Sequence, residues 1–312
     1  MKKRFLLKKT LHLLISLLFF TVLLYGLLYV STGDPALGVL RRSGGQNVSL
    51  KTIEETRRKL GIDGNFFEQY FHWLGNILKG DFGYSFMTNV PVLQIIGEKA
   101  SVTFKLLGIS FIFSTIISLG SGSIIGNFSS LKWVQQILSV VLSFPIYWLS
   151  LVLIFILGVQ LKWLPFVGSN SGKHLILPVM VICLSEGSYL TKMVSDLITL
   201  VSGSESQRIA KFRGVKWYYR FSYQLKESFV PLISLYGNSF THLFGGTVMV
   251  EIIFSIAGLG KLLMEAISTR DYPVIQGITL FVACSTFLLN YIVDVFIQKV
   301  DSRIQINQGG AK

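Results

Sequence analysis

At 312 residues, with 51% hydrophobic and 14% charged residues and a mean hydropathy of +0.57, the chain is too apolar for an average soluble domain and reads as a bilayer protein. Its net charge of +13 does not point to nucleic acid, because the basic residues cluster at the ends of apolar runs instead of interleaving with aromatics, which suits membrane topology and anionic lipid. Cys183 and Cys284 both lie inside apolar runs without CxxC spacing, so a disulfide framework and a zinc site are both unsupported.

The N-terminal MKKRFLLKKT is basic, and the apolar run that follows, about 11–30, has roughly the 20 residues that cross a hydrocarbon core. No A-x-A site follows it, so it reads as a retained first span with a cytoplasmic N-terminus, not a signal peptide. Residues 31–100 form a mixed, nearly charge-balanced segment outside the membrane, with a helix expected over Thr52 to Leu60 and stopped by Gly61. Further spans are expected over about 102–125, 133–157, 175–194, 229–254 and 275–296. Pro145, within Phe144-Pro145-Ile146-Tyr147-Trp148, predicts a kink in the third. Six spans place both termini in the cytoplasm, including the polar tail 299–312.

Between the fourth and fifth spans lies a basic segment in which Arg208, Lys211, Arg213, Lys216, Arg220 and Lys226 outweigh Glu205 and Glu227, which places it on the cytoplasmic side. Helical spacing sets Ile209, Phe212 and Trp217 toward one side, flanked by Arg208, Lys211 and Arg213. Gly214 interrupts the pattern, predicting a short helix, a glycine turn and a second helix leading into the membrane.

Arg208-Ile209-Ala210, then Gly214 and Val230-Pro231, resemble the coupling loop of bacterial ABC importer permeases, in particular the peptide and nickel permease family. Two departures are visible: Arg208 and Ile209 stand for the Glu and first Ala of the general motif, and the Gly214 to Pro231 spacing is about one residue short. The fragments Gly33-Asp34-Pro35-Ala36, Leu60-Gly61-Ile62-Asp63, Gln69-Tyr70, Trp73-Leu74 and Gly80-Asp81-Phe82-Gly83-Tyr84-Ser85 resemble the external-loop signature of the same family, and 245–276 resembles it almost continuously. The resemblance implies an all-α membrane protein with the ABC importer permease fold, about six transmembrane helices and an extended external loop after the first helix. The chain would then be a single permease domain over 1–312: an N-terminal tail and helix over 1–30, the external loop over 31–100, and a five-helix core over 101–312 containing the coupling loop 205–228.

Residues for chemistry are scarce. Gly258-Leu259-Gly260-Lys261 is not a Walker A loop, because Ser255 and Leu262 occupy the positions that need Gly and Ser or Thr. His12, His72, His174 and His242 form no pair at helical spacing, so a stable protein-built metal site is not expected. Ionisable residues inside the spans are the remaining signal, since each costs roughly 2.5 to 3.5 kcal/mol to insert at the bilayer centre. His242 and Met249 fall near one face of the fifth span, whereas Glu251 points to a different azimuth; all three are candidates for a translocation path, with packing or structural hydrogen bonding as the bland alternative. Glu186 and Lys192 are read as interhelical or interfacial contacts, and Gly245-Gly246 as a site of close helix approach.

The resemblance implies a non-catalytic subunit of the bacterial cytoplasmic membrane that binds no cofactor itself, with ATP and Mg used by partners. Those partners would be a second homologous permease in a heterodimer, two cytoplasmic ATPases docked on Arg208, Ile209, Ala210, Phe212, Arg213 and Gly214, and an extracytoplasmic solute-binding protein. Ser31 to Leu37, Gly245-Gly246-Thr247 and Arg270 to Gln276 look closer to nickel permeases than to peptide ones, so nickel, as an ion or chelate, is the expected substrate and a di- or oligopeptide the alternative. A secondary transporter driven by an ion gradient would need its own coupling-ion site and usually an internal repeat, and no repeat is evident between the halves.

Overall fold

The apolar runs of the sequence become helices in the structure, a computed structural model, which describes residues 2–31, 35–42, 49–59, 62–168 and 172–300. The Gly33-Asp34 and Leu60-Gly61 fragments and the tail beyond residue 300 lie outside the described residues. The helices are α1 (Lys2–Val30), α2 (Pro35–Arg42), α3 (Leu50–Lys59), α4 (Phe66–Leu78), α5 (Val92–Asn127), α6 (Lys132–Leu142), α7 (Ile146–Leu153), α8 (Gly172–Ser202), α9 (Glu205–Phe212), α10 (Trp217–Glu227), α11 (Phe229–Ile253), α12 (Leu259–Thr269) and α13 (Tyr272–Val300). A π-helical segment, Ile154–Gln160, continues α7.

Four helices among the described residues, α1, α5, α8 and α13, are long and apolar enough to cross a membrane, and α6 with α7 and its extension makes a fifth if that bent pair is one span. The pair turns by 95° at the break before Pro145, so the expected kink is a right-angled corner. Proline supplies no N–H there and begins α7 as its N-cap residue. The remaining expected span is α11, 25 residues long, whose apolar sequence is interrupted by Asn238, Ser239, Thr241, His242, Thr247 and Glu251, and it is not among those four. The helix α5 contains the span expected over about 102–125 and extends N-terminally to Val92, where buried Val92, Ile96 and Ala100 hold the polar first turns helical.

Two compact units divide the chain, Met1–Val102 with Gly258–Leu288 and Thr103–Ala257 with Leu289–Lys312. In the first, α4 opens with a capping box in which Asn65 and Glu68 satisfy each other's backbone N–H groups. The helix then lies on the end of α1, where Tyr25 sits 5.3 to 5.8 Å from the rings of Phe66, Tyr70 and Trp73 and its hydroxyl donates to Gln69 Oε1 at 3.2 Å. Buried Asp271 ties the loop before α5 to the start of α13: Oδ2 accepts from Ser85 Oγ at 2.5 Å and Oδ1 from the Phe86 N–H at 3.0 Å. Gly277 allows the same approach, because a Cβ there would stand 2.5 Å from Val92 Cγ1.

In the second unit α5 and α8 meet along two rows of small residues. Ser110, Ser114, Ser118, Gly122 and Gly126 recur every fourth position on α5, and Cys183, Gly187, Thr191, Ser195 and Thr199 do so on α8. Cβ atoms built at Gly122 and Gly126 would stand 2.8 Å from the Thr191 carbonyl oxygen and 2.7 Å from that of Ser195. Cys183 Sγ reaches the Ser110 carbonyl at 3.7 Å and Thr199 Oγ1 that of Gly126 at 3.1 Å, so residue numbers rise together and the helices run parallel. Glycine is needed because the obstructing atoms are backbone. Gly126→Leu is therefore expected to lower the Tm of the purified protein by an amount corresponding to about 1–3 kcal/mol of overpacking. Gly120→Ala, with nothing within 4 Å of its Cβ, is expected not to lower Tm.

Candidate functional site

Two groups of residues in the second unit carry the functional expectations, one on the short helices α9 and α10 and one at the middle of α8 and α11. Helix α9 begins at Ser204, whose Oγ accepts from the Gln207 N–H at 3.4 Å, with Glu205 in its first turn and Lys211 in its last, each charge matching the helix dipole. It ends at Gly214, whose φ of +70° has no Cβ obstruction around it; the backbone conformation alone requires glycine. Helix α10 follows, and Ser206 Oγ donates to Glu227 Oε2 at 3.2 Å, linking the two short helices.

The outward surface of this pair is apolar and basic. Phe212 is 86% exposed, and Ile209, Trp217, Arg208, Lys211 and Arg213 are exposed beside it, with Ala210 half-buried. Bulky apolar side chains grouped among cations on an open surface mark a protein-binding face more often than a free one. The inward surface carries Gln207 and Gln224, both buried. Gln224 Nε2 donates to Asn127 Oδ1 at 2.9 Å and to Ser202 Oγ at 3.0 Å, and its Oε1 accepts from Asn127 Nδ2 at 3.1 Å. Sequence reasoning missed this cluster. Its only signal was an uncharged amide within the largely aromatic and charged sequence of α10.

The second group centres on Glu186, buried near the middle of α8. Ser239 Oγ of α11 donates to Glu186 Oε1, and His242 Nδ1 lies 3.3 Å from Glu186 Oε2. The His242 side chain itself is 81% exposed. With Asn238, Gly245 and Met249 it forms an open stripe along α11 at helical spacings of three and four. Facing a carboxylate oxygen, Nδ1 is placed to donate its N–H, and Nε2 lies on the open side of the ring.

Among the candidates for a path, His242 and Met249 thus share an open face, and Glu251 is separated from them. Glu251 is fully buried and accepts from Thr103 Oγ1 at 2.6 Å. Lys192 donates from Nζ to Ser139 Oγ at 2.9 Å, an interhelical contact to α6. No group of three or more His, Cys, Asp or Glu that could hold a metal ion occurs among the described residues. Gly258 and Gly260 belong to the start of α12, Gly258 as its N-cap residue.

Comparison with known proteins covers residues 2–306. The family model described as binding-protein-dependent transport system inner membrane component matches residues 100–306, and that of the N-terminal component of such membrane proteins matches 2–107. The glutathione transport system permease protein GsiC of Escherichia coli (strain K12) is 29% identical over 306 residues, covering 96% of this chain and 98% of that protein. The protein of the same name from Shigella dysenteriae serotype 1 matches at the same 29% identity and the same coverage. The chain belongs to the binding-protein-dependent transport system inner membrane component family, the non-catalytic membrane permeases of ABC importers.

Proposed function

We propose that this permease moves a short, peptide-like solute past the open face of α11, driven by ATPases docked on the outward face of α9 and α10. The observation that carries the path is the exposed polar stripe with His242 braced by buried Glu186. An amide and an imidazole at mid-helix are costly against lipid, so this face meets water or another protein. A second, homologous permease opposite α11 would enclose the stripe between two chains, and an extracytoplasmic binding protein would deliver the solute to it. Both termini and the α9–α10 pair lie on the cytoplasmic side in this reading, which rests on the basic excess of that segment and of the N-terminus. Glu251 serves here as a structural anchor to α5 through Thr103.

The peptide-like substrate is supported by relatives named as glutathione permeases that match nearly end to end. Nickel remains a second reading for one reason: a carboxylate on Nδ1 is also the arrangement that orients a histidine toward a metal. The test is uptake by the importer reconstituted with its partner permease, ATPases and binding protein. ATP-dependent uptake of labelled glutathione or dipeptides without nickel uptake supports the first reading, and nickel uptake alone supports the second. With the peptide-like solute, Glu186→Gln retains a hydrogen-bonding group for Ser239 and removes the charge beside His242. Uptake at low substrate is expected to fall about tenfold, the scale of one charge-assisted hydrogen bond, while ATPase association is unchanged. Gly214→Val forces a β-branched side chain into the left-handed region and is expected to abolish uptake while leaving membrane insertion intact. Full transport by Gly214→Val would contradict the coupling role of the loop.

A further inference from the structure

We infer that Gln224, Asn127 and Ser202 form the joint through which movement of α9 and α10 enters the helix bundle, acting as positioning residues for coupling and not merely as buried polar packing. The inference rests on the proposed ATPase docking of those helices.

The joint lies where three helices come together. Asn127 is the last residue of α5, Ser202 the last of α8, and Gln224 faces both from α10. Asn127 and Gln224 exchange reciprocal amide hydrogen bonds, each donating to the other's carbonyl oxygen at 2.9 and 3.1 Å. Gln224 also donates to Ser202 at 3.0 Å, Ser202 donates to Asn127 Oδ1 at 3.3 Å, and Asn127 Nδ2 reaches the Ser123 carbonyl at 2.9 Å. Gln224 is only 2% exposed, so water cannot readily replace these partners.

Three features make this cluster suited to carrying displacement. First, α9 and α10 are linked by Ser206 and Glu227, so a pull on one carries the other. Second, the outer face of the pair is open, so the load applied by a docked partner leaves through the inner face. There Gln224 supplies directional bonds, and Leu225 packs against the apolar cluster of Val194, Ile198 and Leu232. Apolar contacts permit sliding, whereas a reciprocal amide pair fixes both distance and orientation. Third, Gly122 and Gly126 bring α5 and α8 together at backbone contact just beyond the joint. Displacing Gln224 therefore moves the ends of both parallel helices as one body.

The experiment uses the complete reconstituted importer and compares Gln224→Leu, Asn127→Leu and the double variant. Replacing both amides with apolar groups removes the unsatisfied partner that either single change leaves, so the double variant is expected to recover Tm relative to the singles. It is expected not to recover coupling: substrate transported per ATP hydrolysed falls at least about tenfold in all three, with the ATPases still co-purifying at the wild-type ratio. Wild-type coupling in the double variant would overturn the inference, because the amides would then matter only for stability. Loss of ATPase co-purification would also overturn it, by assigning the cluster to building the docking face. Failure of the docking reading itself has a different signature, an absence of ATPase association in the unmodified complex.

Discussion

The backbone contact between α5 and α8 is the constraint on which the second unit depends. Two helices of 36 and 31 residues lie in parallel with carbonyl oxygens where side chains would ordinarily stand, which only serine, glycine and similarly small residues permit. Lipid offers no hydrophobic advantage for burying apolar side chains between helices, so close van der Waals contact and interhelical hydrogen bonds must hold them. With α5 and α8 fixed to each other, α11 finds its place through hydrogen bonds to Glu186 on α8 and to Thr103 and Ser118 on α5. The short helices α9 and α10 find theirs through the joint at the paired ends.

This arrangement separates two kinds of polar residue that composition alone treats alike. Glu251, Gln224 and Asp271 are buried and partnered, and each positions a piece of backbone. His242 is partnered on one nitrogen and open on the other side, within a stripe that no described element covers. A membrane permease needs both kinds. The first gives the bundle few discrete arrangements, and the second would face the solute on the proposed path. Glu186 belongs to both, buried as a structural acceptor yet acting on the open face through His242.

Much of the architecture was legible because apolar runs long enough to cross a bilayer admit few alternatives to helix. The helices over residues 2–30, 172–202 and 272–300 contain the expected spans, and the helix–glycine–helix form of 205–227 follows from periodicity and Gly214. The different azimuths of His242 and Glu251 follow from their spacing alone. The right-angled corner at Pro145 was readable only as a kink, since proline removes a hydrogen bond without setting the angle. The small-residue rows on α5 and α8 went unnoticed because serine and glycine every fourth position look featureless until two such rows face each other. The Ser85–Asp271 bond joins sequence fragments that each carry the family resemblance, but spans 186 positions, beyond any local pattern. The relatives also carry a glutathione name where resemblance at a few loop fragments favoured nickel. Substrate choice depends on the dimensions and lining of the translocation path, which no local pattern in a single sequence fixes.

The outward face of α9 and α10 is the proposed ATPase contact on which coupling depends. The most direct measurement is photo-crosslinking from a benzoylphenylalanine introduced at Phe212, in the complete importer within membranes. The account predicts crosslinks to an ATPase subunit whose yield changes between nucleotide-free and ATP-bound states. Crosslinks only to lipid or to permease chains, in an importer that still transports, would contradict it.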